Sequence, residues 1–579
     1  MEFLWKAVEQ NRDINGIKID NNEIKMVQHA DDTTLTLNDT DSLLHALNTI
    51  ESFSKVSGLQ LHIGKTAGIL LGNLRDTENK IHGVTFPKEP IKCLGVYIGH
   101  NKNECENLNW KPKIEDMQKL FESWKKRKLT LFGKVQIINT LAISKFVYNF
   151  TILDVPKWAI DSLKKDTYNF LWKRDFIKRT TIIGKVKDGG LGLTDIDTKI
   201  ASLKASWVTR LLKCQNSWRF IPNFYINLMG FETKDFIKAN STENINAFKF
   251  SMFYKSVFEA FFAIKDRAPI NLGTFSEIVW LNNLFKWKNN VLFFENWIKT
   301  GFVYVKDFYD MNGKFVSEQN VYNKLMYKRN WIQEYMIIRS VLQKTLRNVN
   351  TIYAKYTNIK HRYTIVINGC HQSILDKKAK FVYDVLIEKK KTRPINEKKW
   401  CENFNSPNQK SFFQNIYIQK ILDMPCKLLS ELNFKIIHNI LSCGYMVNKW
   451  NLKVGKMCIH CKQEHTLRHM LYDCKKVEKI WKKVSCTLRR NITWKIIVIG
   501  FNECNDIHKV YNVVIAIICK SIHQQWSTNS ENQDILKEIK YLYGIIFRLK
   551  LYYKLFIFVH NNSFSDKIGI LVQSLMELL

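Results

Sequence analysis

The chain has 579 residues, 46% of them hydrophobic, which is ample for several cores and sets an expectation of roughly three or four domains. Lys and Arg number 88 against 53 Asp and Glu, a formal net charge of 88 − 53 = +35. So large an excess argues against a neutral or acidic binding module and points to a polyanionic partner, nucleic acid or an anionic membrane surface. A Lys- and Asn-rich coding bias is the competing source of that charge.

Thirteen cysteines are an odd number, and no secretory signal precedes them. Met1–Gln10 carries Glu2 and Glu9 and has no apolar stretch of signal length. The expectation is an intracellular protein of the nucleus or cytoplasm, not secreted, with mostly free thiols. Val510–Cys519 is apolar but far shorter than the ~20 residues of a membrane span. Tyr541–Val559 is interrupted by Arg548, Lys550 and Lys554, so no membrane partner is expected.

Met1–Gly16 reads as the end of a helix (Phe3, Leu4, Val8) running into a turn at Asn15-Gly16. Glu23–Ala30 and Thr33–Leu37 both alternate as strands, which predicts a tight hairpin with Asp31 and Asp32 at or beside its turn. Two carboxylates so close repel unless a cation joins them, and a hard ion such as Mg²⁺ takes oxygen ligands. The competing reading is a turn in which both side chains cap backbone amides. Residues 39–57 follow as an amphipathic helix, capped by Thr40 or Asp41, with Leu43, Leu44, Leu47, Ile50 and Phe53 on one face and Gly58 as its stop.

Lys65 ends the segment Leu59-Gln60-Leu61-His62-Ile63-Gly64-Lys65, and by position alone it is a surface lysine. Ile91–Gly99 reads as a strand pair around Gly95, where a backbone could approach closely. Residues 108–175 are helical, with apolar anchors such as Trp110, Trp124 and Phe170-Leu171-Trp172 and a dense cationic run Lys125-Lys126-Arg127-Lys128 between them. That run suits a phosphate backbone or is simply a solvated helix face. Gly189-Gly190-Leu191-Gly192 lacks a Walker lysine and is read as a structural turn. Residues 215–400 carry many aromatics but no constellation or repeat, and Lys389–Pro394 is read as a basic linker with some RNA contact.

The sharpest local signal is Cys458-Ile459-His460-Cys461, then His469 and Cys474. Two cysteines two residues apart present both sulfurs to one ion, and the later His and Cys complete a tetrahedral Cys₃His set. Soft thiolates with one imidazole favour Zn²⁺, and four protein ligands leave no open position, so the site would be structural. Residues 466–472 are expected to form a short helix that brings His469 and Cys474 together. His465 is the rival ligand, in a Cys₂His₂ set that leaves Cys474 spare. Residues 491–579 are read as helical and carry no assignable chemistry.

Several of these stretches resemble one family, the reverse transcriptases of LINE-type (non-LTR) retrotransposons. Ala30-Asp31-Asp32 resembles the family's catalytic signature, although His29 stands where Phe or Tyr is usual. The segment ending at Lys65 resembles the following polymerase motif, and Ile91–Gly99 resembles the primer-grip hairpin. The order Trp124, Gly133-Lys134-Val135, Tyr148, Phe170-Leu171-Trp172 resembles the thumb, as does Gly189–Asp195 with Trp207. Phe434–Leu441, Trp450, His469 and Cys474 to Trp481 resemble the zinc-binding segment that follows the polymerase.

The resemblance implies a fold that is α+β and predominantly α-helical, with partial palm hairpins, a helical thumb and a helical C-terminal domain bearing a zinc knuckle. The implied divisions are a partial palm at 1–104, thumb at 105–185, helical connector at 186–400, zinc-binding domain at 401–490 and helical tail at 491–579. It implies RNA-directed DNA polymerisation with an RNA template and a DNA primer or target as partners. Asp31 and Asp32 would hold Mg²⁺ for two-metal phosphoryl transfer, and Lys65 would approach the leaving phosphates. Cys458, Cys461, His469 and Cys474 would hold Zn²⁺, with lysines 453, 456, 462, 475, 476 and 479 supplying local positive charge. The family's fingers and first catalytic aspartate precede the Ala-Asp-Asp signature and have no counterpart in this sequence. The expectation is therefore a C-terminal fragment inactive by itself, with a non-catalytic nucleic-acid-binding remnant or a decayed element as alternatives.

Overall fold

The computed structural model describes residues 1–528 apart from 76–78, 173–175, 214, 267–274, 311–312, 326–329, 347–363, 368–369, 376, 450–454 and 502–505. Helices dominate, and every strand among the described residues belongs to a two-stranded antiparallel pair. This matches the predominantly helical α+β class read from the sequence. The chain forms two compact units, each assembled from separated segments. The first comprises Met1–Gln118, Lys145–Leu163 and Ile196–Leu386; the second comprises Lys119–Ser144, Lys164–Asp195 and Ile387–Leu579.

At the start of the first unit, helix Glu2–Gln10 buries Leu4 and Val8 with Ile14, Met26 and Ala46 in a small core. Helix Thr40–Ser57 forms as predicted, but its cap is Asp39, one residue before the expected candidates. The Ser42 amide donates to the Asp39 carboxylate at 2.7 Å, which satisfies a backbone donor that helix geometry leaves open. Gly58 closes the helix at φ 75° and returns its N–H to the Ser54 carbonyl. Of the predicted stripe, Ile50 and Phe53 pack on this core and Leu43 and Leu47 are half-buried, while Leu44 is 40% exposed; Ser42 and Ala46 are buried beside them.

The predicted strand over 23–30 breaks in two. Asn22–Ile24 pairs with Ile17–Ile19, and Met26–His29 pairs with Asp32–Leu35. Lys25 is the break. Its side chain is buried and its Nζ donates to the carbonyls of Glu9 and Asn11 at 3.2 and 2.7 Å. These sit at the C-terminal end of the first helix, where the backbone dipole favours a cation.

The hairpin Ile91–Cys93 with Val96–Ile98 forms as read. Leu94 and Gly95 take φ 46° and 82°, the left-handed pair that a two-residue hairpin turn requires. Gly95 serves this dihedral; a Cβ there would meet only the Tyr148 ring, at 3.8 Å. The hairpin is fastened to helices on either side. Asn109 accepts from the Tyr97 amide and donates to its carbonyl, both at 2.8 Å, and the Tyr148 hydroxyl donates to the Leu94 carbonyl. Behind them Trp110, Phe146 and Phe150 stack at 5.7–6.4 Å.

The stretch least legible in the sequence carries a large aromatic core. Phe236 packs against Phe231, Phe248, Phe250, Phe258 and Phe262, with ring centroids 4.7–6.1 Å apart. Trp280 and Trp297 are fully buried nearby, each with its indole N–H satisfied, by the Phe302 carbonyl and the Glu334 carboxylate.

In the second unit the Gly189–Gly192 segment is a structural turn, as expected. A Cβ on Gly190 would lie 2.0 Å from the Gly184 carbonyl oxygen, and Asn139 clasps the Gly192 carbonyl and the Thr194 amide at 2.9 Å each. The basic stretch 389–394, read as a linker, connects the helices Ala379–Lys390 and Ile395–Phe404 and is held by ion pairs. Lys390, Lys391 and Arg393 form ion pairs with Asp195, Asp188 and Glu397 at 2.6–2.7 Å. Thr392 donates its amide to the Thr180 carbonyl. Three of its charges are thus paired within the unit. Among the described residues no helix is long and apolar enough to cross a membrane. The apolar run 541–559 lies outside the described residues, as does most of the predicted helical tail.

Candidate metal centre

The metal-ligand signal of the sequence becomes a compact site in the second unit. A short bridge pairs Met457 with Glu464, and the Cys458 amide donates to the Gln463 carbonyl at 2.8 Å. Lys462 takes φ 58° and closes the turn with an N–H to the Cys458 carbonyl. This knuckle projects Cys458 and Cys461 to one side. The second half arrives on a helical turn that widens at His469–Asp473. In a regular α-helix residues five apart lie about 140° around the axis. Here the Cys474 amide bonds the His469 carbonyl at 3.0 Å, an i to i+5 closure that brings His469 and Cys474 back to one face. The short helix expected over 466–472 is present in this widened form. The Thr466 hydroxyl accepts from the His469 amide at 3.2 Å, and the Trp481 indole donates to the Leu471 carbonyl at 2.8 Å. These two supports were not singled out from sequence, although a Thr three residues before the histidine is a readable capping signal.

Cys458, Cys461, His469 and Cys474 place their donor atoms within 4.8 Å of one another. Cys458 Sγ lies 3.9 Å and Cys461 Sγ 4.0 Å from Cys474 Sγ, and Cys461 Sγ is 3.1 Å from His469 Nε2. A tetrahedral zinc with Zn–S ≈ 2.3 Å and Zn–N ≈ 2.0 Å sets sulfurs about 3.8 Å apart and sulfur to nitrogen about 3.5 Å. The donor set and its spacing fit Zn²⁺. His465 stands apart from it. Its Nδ1 accepts the Gly444 amide at 2.9 Å and its ring stacks on Trp526, and it does not join the four in a ligand-sized group.

The electrostatics of the four side chains suit a cation. Burial, and then the charges of Cys458 and Cys461, push the Cys474 thiol up to about 11. Burial also raises the cost of ionising Cys458, but the backbone amides of His460 and Cys461 outweigh it and hold that thiol below its usual value. Burial keeps His469 low, hence neutral, which is the ligating form. Three sulfurs this close ionise together only around a positive ion. Zinc, when bound, would hold the knuckle and the widened turn as one piece; no open coordination position remains for chemistry.

Asp31 and Asp32 are arranged differently. Asp31 lies in the two-residue turn between the paired His29 and Asp32, and both carboxylates are exposed. Ala30 opens that turn at φ 54°, a conformation that strains a residue with a Cβ. Among the described residues no third His, Cys, Asp or Glu joins the pair in a ligand-sized group. Lys65 is exposed at the end of a single 3₁₀ turn, Ile63–Lys65. Of the charges expected around the zinc site, lysines 456, 462, 475, 476 and 479 are exposed, and Lys453 lies outside the described residues.

No family model matches the chain. Over 219 residues, 36% of this chain, it is 23% identical to a Xenopus laevis protein described as the transposon TX1 uncharacterized 149 kDa protein. The matched stretch covers 17% of that relative's length. The chain is thus similar, distantly and in part, to a transposon protein.

Proposed function

We propose that this chain is part of a LINE-type retrotransposon reverse transcriptase, and that it grips RNA template and DNA primer or target through cationic helices anchored by a structural zinc site. What carries the reading is the Cys₃His cluster at tetrahedral spacing, joined directly to the helix Lys475–Leu488. That helix buries Val477, Trp481, Val484 and Leu488 and exposes Lys475, Lys476, Lys479, Lys482 and Lys483. Glu478 lies among the exposed lysines and pairs with Lys482 at 2.8 Å. Such a stripe, fixed to a rigid knuckle, is suited to phosphates spaced along a strand. The transposon relative supports the same reading.

In this reading Asp31 and Asp32 hold Mg²⁺, and Lys65 neutralises charge on the departing phosphates. A two-metal site needs a further carboxylate from a neighbouring strand, and among the described residues none joins the two at the exposed hairpin tip. The chain by itself therefore binds nucleic acid without extending it. Primer extension on an RNA template with Mg²⁺ tests this: no product is expected. Extension that Asp31→Asn abolishes would overturn it. The exposure of both aspartates also favours a second reading, a binding module without chemistry, in which RNA affinity survives Asp31→Asn and Asp32→Asn unchanged.

A further inference from the structure

The knuckle that presents Cys458 and Cys461 to the metal centre also presents apolar side chains to solvent. Met457 is 47% and Ile459 65% exposed, on either side of the buried Cys458. His460 follows, also exposed, and its side chain makes no hydrogen bond or ring contact among the described residues. Single exposed apolar residues are ordinary, but here two of them and an imidazole occupy three of four consecutive positions. The backbone holds them there: the Cys458 amide donates to the Gln463 carbonyl, the Lys462 amide donates to the Cys458 carbonyl, and Met457 bridges to Glu464.

Lysines flank this tip. Lys456 and Lys462 lie on either side of it along the chain, and both are exposed. Cys474 Sγ is 3.9 Å from Cys458 Sγ, so the exposed Lys475 and Lys476 that follow it start beside the same knuckle. Glu464 is the one carboxylate between Lys456 and Glu464. An apolar protein surface docking here would have to desolvate those ammonium groups. A nucleic-acid strand meets them with phosphates and can bring a flat, largely apolar base face to the tip. Inside a duplex those faces are covered by neighbouring bases, so only an unpaired base offers one.

We propose that Met457, Ile459 and His460 receive an unpaired base of an RNA strand whose phosphates lie on the neighbouring lysines, so that the knuckle selects single-stranded RNA over duplex. The inference rests on the RNA reading above and adds to it the form of the strand. The two contacts differ in kind. The lysines supply affinity that falls with salt. The tip supplies a contact open to every base, since each has a π face, and one that salt leaves largely alone. The imidazole stacks on that face as other aromatic rings do, and Ile459 and Met457 bury apolar area against it.

Fluorescence anisotropy of the whole zinc-loaded chain with a short labelled oligoribonucleotide, and with the same strand annealed to its complement, tests this over a series of salt concentrations. At high salt, where the lysines contribute least, the single strand is expected to bind about tenfold tighter than the duplex, the weight of one base contact. The double variant Ile459→Ser, His460→Ser should erase that preference. Its single-strand affinity should fall about tenfold with an unchanged salt slope, while duplex affinity and a zinc content of one per chain are kept. Both side chains are exposed, so the variant should fold. Ile395→Ser, at an equally exposed position, should alter nothing. Equal affinity for the two forms in wild type, or a double variant that keeps the preference, overturns the proposal, and salt-dependent binding of either form then leaves the RNA reading standing. If neither form binds at low salt, the RNA reading itself falls and this inference with it. A double variant that turns a dimer into a monomer in sedimentation, with single-strand affinity kept, makes the tip a contact between copies and also overturns the proposal.

Discussion

The acidic hairpin and the Cys₃His cluster are both ligand sets written in a few consecutive residues, yet only one closes on itself. Cys458, Cys461, His469 and Cys474 are drawn together by local backbone devices, a knuckle and a widened helical turn, and all donor atoms lie within 4.8 Å. Asp31 and Asp32 are adjacent, exposed and limited to what one hairpin tip offers. A zinc site of this kind is complete within its own segment, whereas a two-metal site draws carboxylates from strands far apart in the sequence. Spacing along the chain can therefore specify the first and only indicate the second.

The comparison breaks most severely if the metal is removed. Chelation, or Cys474→Ser, should cost on the order of 10 kcal/mol of metal-coupled folding free energy and unfold the knuckle. Loss of one zinc per chain with loss of near-ultraviolet dichroism is the measurement, and an unaltered spectrum after chelation would contradict it. A smaller change sharpens the ligand assignment. His465→Leu removes the acceptor of the buried Gly444 amide and should cost about 1–3 kcal/mol, while the zinc content stays at one per chain. Zinc lost in His465→Leu but kept in Cys474→Ser would reverse the roles of the two residues. The smallest effect belongs to the hairpin. Asp31→Asn should move the urea midpoint by less than about 0.5 kcal/mol in equivalent stability, because the carboxylate is exposed. A marked stabilisation would mean that the two charges strain the turn more than its exposure allows.

These differences also explain what the sequence disclosed. The helix Thr40–Ser57 was legible because its stop is a local event at Gly58, although the cap moved to Asp39. The metal ligands were legible because their convergence is local too. What failed to show were interactions between distant residues. Lys390 meets Asp195 across almost two hundred positions, so a basic run read as a linker is held by ion pairs. Lys25, read as a polar strand position, is buried because two carbonyls of the preceding helix receive it. The phenylalanines around Phe236 come from short helices and loops without a common period, so no hydrophobic pattern announced this core.

The central claim is that the zinc-anchored cationic helix tracks an RNA backbone, and the salt dependence of RNA affinity tests it most directly. The account predicts that log K falls linearly with log salt for the whole chain, at about 0.7 units per phosphate neutralised on a single strand. The triple variant Lys475→Gln, Lys476→Gln, Lys479→Gln should make that slope shallower by about 2. No RNA binding at low salt, or an identical slope in the triple variant, would contradict it.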